Sequence, residues 1–283
     1  MNNRLQALKY IICDYLTASA AWILFYLYRK VAIEGDAFFQ RLPDDPKFWY
    51  GAILLPIGWL MAYAFIGTYS NIYRKSRLKE FGQTLYISAL GVLVIFFAIL
   101  LDDRIVSYKS YYESLAVLFG THFTLTAAVR FYLTSKAGYK IKNRVIGFNT
   151  LLIGSNQKAL ALFKELMAAK ESQGNMFVGF ISVVENNGQL LREILKHLGT
   201  VKDLRTLIAL HKIDEVIIAI ESSEHESIGR ILNDLEDSGV IVKIIPDMYD
   251  ILSGSVKMNS IYGAPLIEIS PYLMPIWQQG LKR

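Results

Sequence analysis

Long apolar runs in the first half of the chain and short apolar stretches in the second half divide the sequence into two parts. The long runs are residues 10–28, 49–66, 81–101 and 111–133. Each run is predominantly apolar over about 18 residues or more, which is enough for a helix to cross a hydrocarbon layer of roughly 30 Å. The pattern predicts a membrane four-helix bundle over residues 1–143.

After this part, apolar stretches of strand length alternate with helical segments. The predicted strands are residues 149–153, 176–182, 214–220, 240–245 and 266–269. The predicted helices are residues 157–170, 201–211 and 224–238, the last with Ser222 or Ser223 as N-cap. Strands separated by helices favour right-handed crossovers and a parallel sheet. We predict an α/β Rossmann-like domain with a mainly parallel sheet over residues 144–270, followed by an interfacial segment at 271–283.

Composition and charge support the membrane assignment. Hydrophobic residues make up 53% of the chain and charged residues only 19%, which is too apolar for one ordinary soluble domain. The net charge is +5, but the basic residues collect beside the apolar runs, where they match lipid headgroups better than nucleic acid. The single cysteine, Cys13, lies inside the first run and is predicted to be a packing residue.

The positive-inside rule sets the expected orientation. The basic residues of the second loop and of the segment after the fourth run are Arg74, Lys75, Arg77, Lys79, Lys136, Lys140, Lys142 and Arg144. The third loop has only Arg104 and Lys109, whereas the basic first loop leaves its own side ambiguous. We predict four spans of a bacterial inner (cytoplasmic) membrane with both termini in the cytoplasm.

Polar residues inside the runs are candidates for function or for helix packing. Asp14 and Arg130 lie at similar depth in the first and fourth runs, and we expect them to form a structural salt bridge rather than a proton or substrate path. His122 is expected to form hydrogen bonds between helices because no second ligand stands at metal spacing. Pro56 is expected to kink the second helix.

The first turn of the α/β part is the candidate cofactor site. It contains Gly154, Ser155, Asn156 and Ala159, so the second position of a dinucleotide fingerprint is asparagine instead of glycine. No acidic ribose ligand stands directly at the end of the second strand, which ends at Ser182. Two alternatives remain, a bound nucleotide at these residues or a purely structural turn, and the sequence favours the second.

The remaining polar residues of the α/β part suggest no catalytic set. His197, His211 and His225 are predicted to be surface residues on or beside helices. Asp214 and Glu215 are interpreted as loop and strand-start residues. Because no paired carboxylates, nucleophile elbow or P-loop occur there, we assign no catalytic and no metal-binding residue, and no cofactor is evident.

The last residues carry a family resemblance. SPYLMPIWQQGLKR combines aromatic residues with Lys282 and Arg283, as in a segment at a membrane interface. Together with the four runs, the Rossmann-like part and GAPLIEISPYLMPIW, it resembles the N-terminal portion of large polyprenyl-phosphate sugar phosphotransferases, over essentially all 283 residues. These bacterial enzymes initiate exopolysaccharide, capsule or O-antigen synthesis by transferring sugar phosphate from a nucleotide sugar to undecaprenyl phosphate.

The resemblance implies a re-entrant helix and a catalytic domain with an Asp–Glu dyad and Mg²⁺ after the terminal Lys-Arg pair. We expect this chain, whether a fragment or a natural truncation, to lack that domain, to be inactive alone and to be homo-oligomeric. The alternatives are the N-terminal part of a membrane-bound nucleotide-sugar dehydratase or epimerase, which has similar spans, and a stand-alone nucleotide-sensing membrane protein.

Overall fold

The structure is a computed structural model that describes residues 3–33, 46–100, 108–183, 189–220, 225–236, 238–245 and 266–269. The chain separates into two compact units, mainly residues 2–138 and 139–273. The division falls within the last turns of a long helix, close to the predicted boundary after residue 143. The predicted interfacial segment, residues 271–283, lies outside the described residues.

The first unit consists of four long helices. They are α1 (Asn3–Tyr28), α2 (Pro46–Phe65), α3 (Arg77–Ile95) and α4 (Tyr108–Lys142). All four are long and apolar enough to span a membrane. Each extends past at least one end of its apolar run because helical hydrogen bonding continues through the polar flanks. The start of α3 has a local cause, since the Ser76 side chain accepts a hydrogen bond from the Lys79 amide as an N-cap.

Pro56 lies within α2, and the helix continues past it to its end at Phe65. The expected kink stays a prediction. Short π-helical segments, Arg29–Ile33 and Phe96–Leu100, follow α1 and α3.

The helices pack around an aromatic core. The Tyr26 and Phe48 rings, with centroids 5.3 Å apart, connect α1 to the start of α2, and Trp22 donates a hydrogen bond from Nε1 to the carbonyl of Phe48. The buried members of this core are Ala18, Trp22, Phe25, Tyr26, Phe48, Trp59, Tyr63, Ile87, Val92, Ile95 and Leu118. Many large apolar side chains instead point outward, among them Leu16, Leu54, Met61, Phe65, Leu78 and Val94.

The second unit is built on one six-stranded sheet. Its strands are β1 (Phe148–Ile153), β2 (Asn175–Ser182), β3 (His197–Thr200), β4 (Glu215–Ile218), β5 (Ile241–Ile244) and β6 (Ile267–Ile269). The order is β3-β2-β1-β4-β5-β6, and only the β5–β6 pair is antiparallel. The helices are α5 (Gln157–Ala168), α6 (Gln189–Arg192), α7 (Leu204–His211) and α8 (His225–Leu235).

The Rossmann-like α/β architecture with a mostly parallel sheet is confirmed, with two elements that the sequence analysis missed. β3 and α6 are only four residues each, too short for a clear hydrophobic period. The placement of His197 on or beside a helix was wrong, because it begins β3 and is half-buried. His211 ends α7 and His225 begins α8, while the expected N-caps Ser222 and Ser223 lie outside the described residues.

Apolar side chains cover both faces of the sheet. Because successive strand residues point to opposite faces, Leu151 and Ile153 join one core, with α7 and α8, while Leu152 joins the other, with α5. This two-sided burial explains why the central strands are continuous Leu, Ile and Val runs rather than alternating patterns.

Candidate functional site

The turn after β1 lies at the point where nucleotides bind in this class of fold. The strand order reverses between β1 and β4, and ligands of open α/β sheets occupy the crevice outside the carboxyl ends of the strands at such a point. Gly154 follows β1 directly, and Ala219 follows β4. The candidate residues Gly154, Ser155, Asn156 and Ala159 are therefore in the right place for a ligand.

Gly154 is required by backbone geometry. Its φ of +129° lies in a region that L side chains rarely adopt, and a Cβ atom there would collide with the carbonyl oxygen of Ala219. The Gly154 amide also donates a hydrogen bond to the carbonyl of Ile181, 3.0 Å away. This glycine therefore serves the close packing of β1, β2 and β4, with or without a ligand.

Asn156 caps the N-terminus of α5 with its own side chain. Its backbone is extended, with φ −91° and ψ −178°, and its Oδ1 accepts a hydrogen bond from the Ala159 amide at 2.9 Å. An amide of this kind would otherwise be available to a phosphate at the helix N-terminus. Asn156 thus places a side chain where a fingerprint glycine lets the pyrophosphate approach the backbone.

The end of β2 carries a serine–histidine pair where many nucleotide-binding folds have an acidic ribose ligand. Ser182 is buried, and its Oγ lies 3.2 Å from Nε2 of His197 on β3. No sequence pattern indicated this contact, because His197 was predicted to lie on or beside a helix. In the described residues the pair has no third group that would orient it for nucleophilic catalysis, so it is a hydrogen bond between neighbouring strands.

Glu215 is more deeply buried than its predicted position at a strand start suggests. It is fully buried, and its Oε1 accepts hydrogen bonds from Lys243 Nζ at 2.8 Å and from Asn175 Nδ2 at 2.7 Å. The three residues lie on β4, β5 and β2, so they connect three strands across the sheet. We interpret this buried, paired carboxylate as a structural residue that links strands of the sheet.

In the helical unit, Asp14 and Arg130 form a bidentate ion pair. Arg130 donates from Nε to Asp14 Oδ1 at 2.9 Å and from Nη2 to Asp14 Oδ2 at 2.7 Å. Arg130 Nη1 donates to Thr84 Oγ1 at 3.0 Å, and the guanidinium lies 3.8 Å from the centroid of the Tyr63 ring. Both charged side chains are almost fully buried, and together with Thr84 and Tyr63 they connect all four helices.

A second buried ion pair lies near the first and was not predicted. Lys75 Nζ lies 3.8 Å from Glu80 Oε1, and Lys75 also donates to the carbonyl of Thr68. Thr134 donates to Glu80, and the hydroxyls of Tyr10 and Thr134 are 2.8 Å apart. Lys75 was interpreted only as a loop residue that sets orientation, because a charge before a helix gives no sequence signal of burial.

The 66–76 segment between α2 and α3 is held against this polar cluster. Tyr69 donates a hydrogen bond to Asp14 Oδ2 at 2.9 Å, and Gln83 donates to Thr68 at 3.2 Å. Burial lowers the pKa of Lys75 from its usual value, although Glu80 opposes the shift. Burial and the charge of Asp14 raise the pKa of Tyr69.

His122 is a packing residue with one hydrogen bond. Its ring stacks on Trp59 with centroids 3.8 Å apart, and its Nε2 lies 3.1 Å from the hydroxyl of Tyr63. Among the residues that the structure describes, no group of three His, Cys, Asp or Glu side chains could hold a metal ion.

These observations define a class of protein in which four long apolar helices precede a Rossmann-like α/β unit. The chain matches the CoA-binding domain family over residues 64–246 and belongs to that family. It is also similar to the capsular polysaccharide biosynthesis protein CapD of Staphylococcus aureus, with 22% identity over 226 residues. That match covers 80% of this chain but only 37% of CapD.

Two solved structures resemble the chain more weakly. UDP-D-quinovosamine 4-dehydrogenase from Vibrio fischeri has 23% identity and a TM-score of 0.34, covering 44% of this chain and 94% of that one. RSP in complex with β-NADH has 15% identity and a TM-score of 0.30, covering 62% and 91%. TM-scores of this size carry no functional argument.

Proposed function

We propose that the four helices span the bacterial inner membrane and that the chain is the membrane-anchoring and accessory region of a polysaccharide biosynthesis enzyme. Exposed aromatic residues on α4 carry the membrane part of the proposal. Tyr112 and Tyr132 are 71% and 61% exposed and stand 20 residues apart, which in a helix is about 30 Å, the thickness of a hydrocarbon core. Aromatic side chains concentrate at the two membrane interfaces.

The other helices carry exposed aromatic residues at corresponding levels. Trp49 and Tyr50 at the start of α2 and Phe97 after α3 lie on the side of Tyr112. Phe65, at the end of α2, lies on the side of Tyr132. Trp22, near the end of α1, contacts Phe48 at the start of α2, and Phe96, after α3, contacts Tyr111 at the start of α4, so each of these helix pairs runs in opposite directions. The apolar side chains exposed between the two levels would therefore face lipid rather than water.

For the particular enzyme, we propose a polyprenyl-phosphate sugar phosphotransferase that transfers sugar phosphate from a nucleotide sugar to undecaprenyl phosphate. The sequence resemblance supports this choice, and the similarity to a capsular polysaccharide biosynthesis protein supports the same general process. The chain spans 37% of the length of that relative. In this proposal the chemistry belongs to a longer product. In this proposal the described residues anchor and orient the enzyme.

A nucleotide-sugar dehydratase or epimerase is the second candidate. The similarity to CapD, a capsular polysaccharide biosynthesis protein, supports this candidate as well as the first. The two candidates differ in where the sugar goes, onto a lipid or back into solution as an altered nucleotide sugar.

The test uses membranes that contain the complete product of the gene encoding this chain. Membranes are incubated with undecaprenyl phosphate, Mg²⁺ and UDP-sugars labelled in both the sugar and the β-phosphate. The phosphotransferase predicts that both labels enter the organic phase and that EDTA prevents it. A labelled sugar recovered in water as an altered UDP-sugar would instead identify the second candidate.

Membranes that contain only residues 1–283 are the matched control. We expect no lipid labelling from them, because the family resemblance implies a catalytic domain after Arg283. Transfer by this chain alone would overturn the accessory role.

A further inference from the structure

Two cations lie over exposed aromatic rings where α3 begins and α4 approaches its end. The Arg77 guanidinium lies 5.5 Å from the centroid of the Phe131 ring, and Lys136 Nζ lies 5.6 Å from that of Tyr132. Phe131 and Tyr132 are 54% and 61% exposed, and both cations are exposed as well. Neither cation has a carboxylate partner within the described ranges. This cation–aromatic patch therefore presents positive charge and apolar surface side by side.

Aromatic side chains continue from the patch along the contact between α3 and α4. Phe81 stands four residues after Arg77 and therefore on the same face of α3. Its ring centroid is 5.4 Å from that of Phe123, which stacks at 5.6 Å on Phe119 of the same helix. Phe81 is 49% exposed. These three rings form an aromatic seam that leads away from the two charges.

We propose that the patch and the seam bind an anionic phospholipid of the inner leaflet, with its phosphate at Arg77 and Lys136 and an acyl chain along Phe81 and Phe123. This proposal rests on the proposed membrane insertion. Positive charge complements the headgroup, and the neighbouring rings complement the chain. Phe131 and Tyr132 stand at one of the two aromatic levels, so the charges lie at headgroup depth.

The side-chain chemistry favours a lipid over a dissolved anion. Cations that lie over aromatic rings keep their charge while their methylene stems cover apolar surface, as they do at a membrane interface. A basic residue near an anionic membrane surface contributes about 1 kcal/mol, which corresponds to about a fivefold change in association. A small soluble anion would gain the charge interaction but would leave the seam unoccupied.

The test measures lipid association by electron paramagnetic resonance with the full chain in phosphatidylcholine vesicles. Spin-labelled phosphatidylglycerol and phosphatidylcholine are compared in the wild type, in Arg77→Gln and in Lys136→Gln. We expect the wild type to prefer phosphatidylglycerol and each variant to lose about two- to fivefold of that preference. Lys109→Gln, near the opposite end of α4, is the matched control and should retain it.

The outcomes separate this proposal from the one on which it rests. Failure of the chain to float with neutral vesicles would overturn membrane insertion itself. Insertion without a preference for phosphatidylglycerol, or an equal loss in Lys109→Gln, would overturn only the headgroup site. Preferential competition by inorganic phosphate or by a short polyprenyl phosphate would show that the occupant is not a phospholipid. Phe81→Leu should weaken the preference less than Arg77→Gln does.

Discussion

Single charged residues decide how the helical unit is held together. Asp14 and Arg130 are both at or below 2% exposure, so neither charge is stabilised by water. Removing one partner of a buried pair leaves an uncompensated charge, which typically costs about 3–5 kcal/mol, whereas removing both costs much less. The bidentate geometry, the hydrogen bond that Thr84 accepts from Arg130 and the one that Tyr69 donates to Asp14 make these positions sensitive to small changes.

We predict that Asp14→Asn destabilises the helical unit by about 3–5 kcal/mol because the Arg130 charge stays buried without its carboxylate. Unfolding in mixed micelles with increasing denaturing detergent measures the change. The double variant Asp14→Asn/Arg130→Met should recover part of the loss. Equal stability of Asp14→Asn and the wild type would contradict a structural role for the pair.

The lowered pKa of Lys75 predicts a pH effect on stability. Burial disfavours the charged amine in the folded chain, so the unfolded chain binds more protons between the lowered pKa and the ordinary value near 10.4. Stability should therefore rise with pH in that window, and this gain should be lost as pH falls through the folded-state pKa. Detergent unfolding at pH 8 and pH 10 measures the slope, and Lys75→Met should reduce it. An unchanged slope in the variant would assign the effect to other groups.

At the scale of elements, the turn between β1 and α5 is stabilised by residues of the turn itself. Gly154 allows β1 to pass the end of β4, and Asn156 caps the first turn of α5. The φ of Gly154 and the hydrogen bond from the Ala159 amide to Asn156 both depend only on residues of this chain. The element keeps the shape of a phosphate turn, but its Ala159 amide is already bonded to Asn156.

We predict that Gly154→Ala destabilises the α/β unit by about 1–3 kcal/mol, because a Cβ atom at φ +129° meets the Ala219 carbonyl. Gly229→Ala in α8 is the control, since nothing lies within 4 Å of the added carbon and alanine favours a helix by about 0.5–1 kcal/mol. Hydrogen exchange of the β1 and β4 amides measures both. Similar protection in the two variants would remove the steric explanation.

The self-capped turn also predicts weak ligand binding despite the family's name. Calorimetric titration of the full chain with coenzyme A and with NAD should give no binding at micromolar concentrations, since Asn156 holds the Ala159 amide. Micromolar binding that Asn156→Asp abolishes by adding a negative charge would place a ligand at this turn and contradict the prediction.

At the scale of the whole molecule, orientation in the membrane determines which side carries the α/β unit. By the positive-inside rule, the basic residues before α3 and at the end of α4 predict that these ends lie in the cytoplasm. The opposite ends of the same helices, near Phe97 and Tyr112, would then face outward. The α/β unit follows α4 and shares the cytoplasmic side in this proposal.

We predict that Lys79→Cys resists, and Lys109→Cys accepts, a membrane-impermeant maleimide added to intact cells. Both residues are exposed, and replacing Cys13 with alanine gives a background without other thiols. Cell lysis should make Lys79→Cys reactive. The reverse labelling pattern would invert the topology.

The sequence predicted the elements whose signal lies in many successive residues. The apolar runs became α1 to α4, and β1, β2, β4 and β5 followed from their Leu, Ile and Val stretches. β3 was not predicted, because His197 and Gly199 leave its four residues without an apolar pattern. The candidate turn was located from Gly154, but its backbone conformation and the direction of the Asn156 side chain depend on how β4 packs beside it.

By itself, the sequence determined the two-part architecture, because hydrophobic length and period are properties of consecutive residues. Only the tertiary structure decided which charges are buried together. Lys75 was interpreted as a basic loop residue and Glu215 as a strand-start residue, yet each lies in a buried ion pair. The cost of burying a charge depends on the side chains that the fold packs around it, such as Thr134 beside Glu80 and Lys243 beside Glu215, so no local pattern could reveal that these charges are buried.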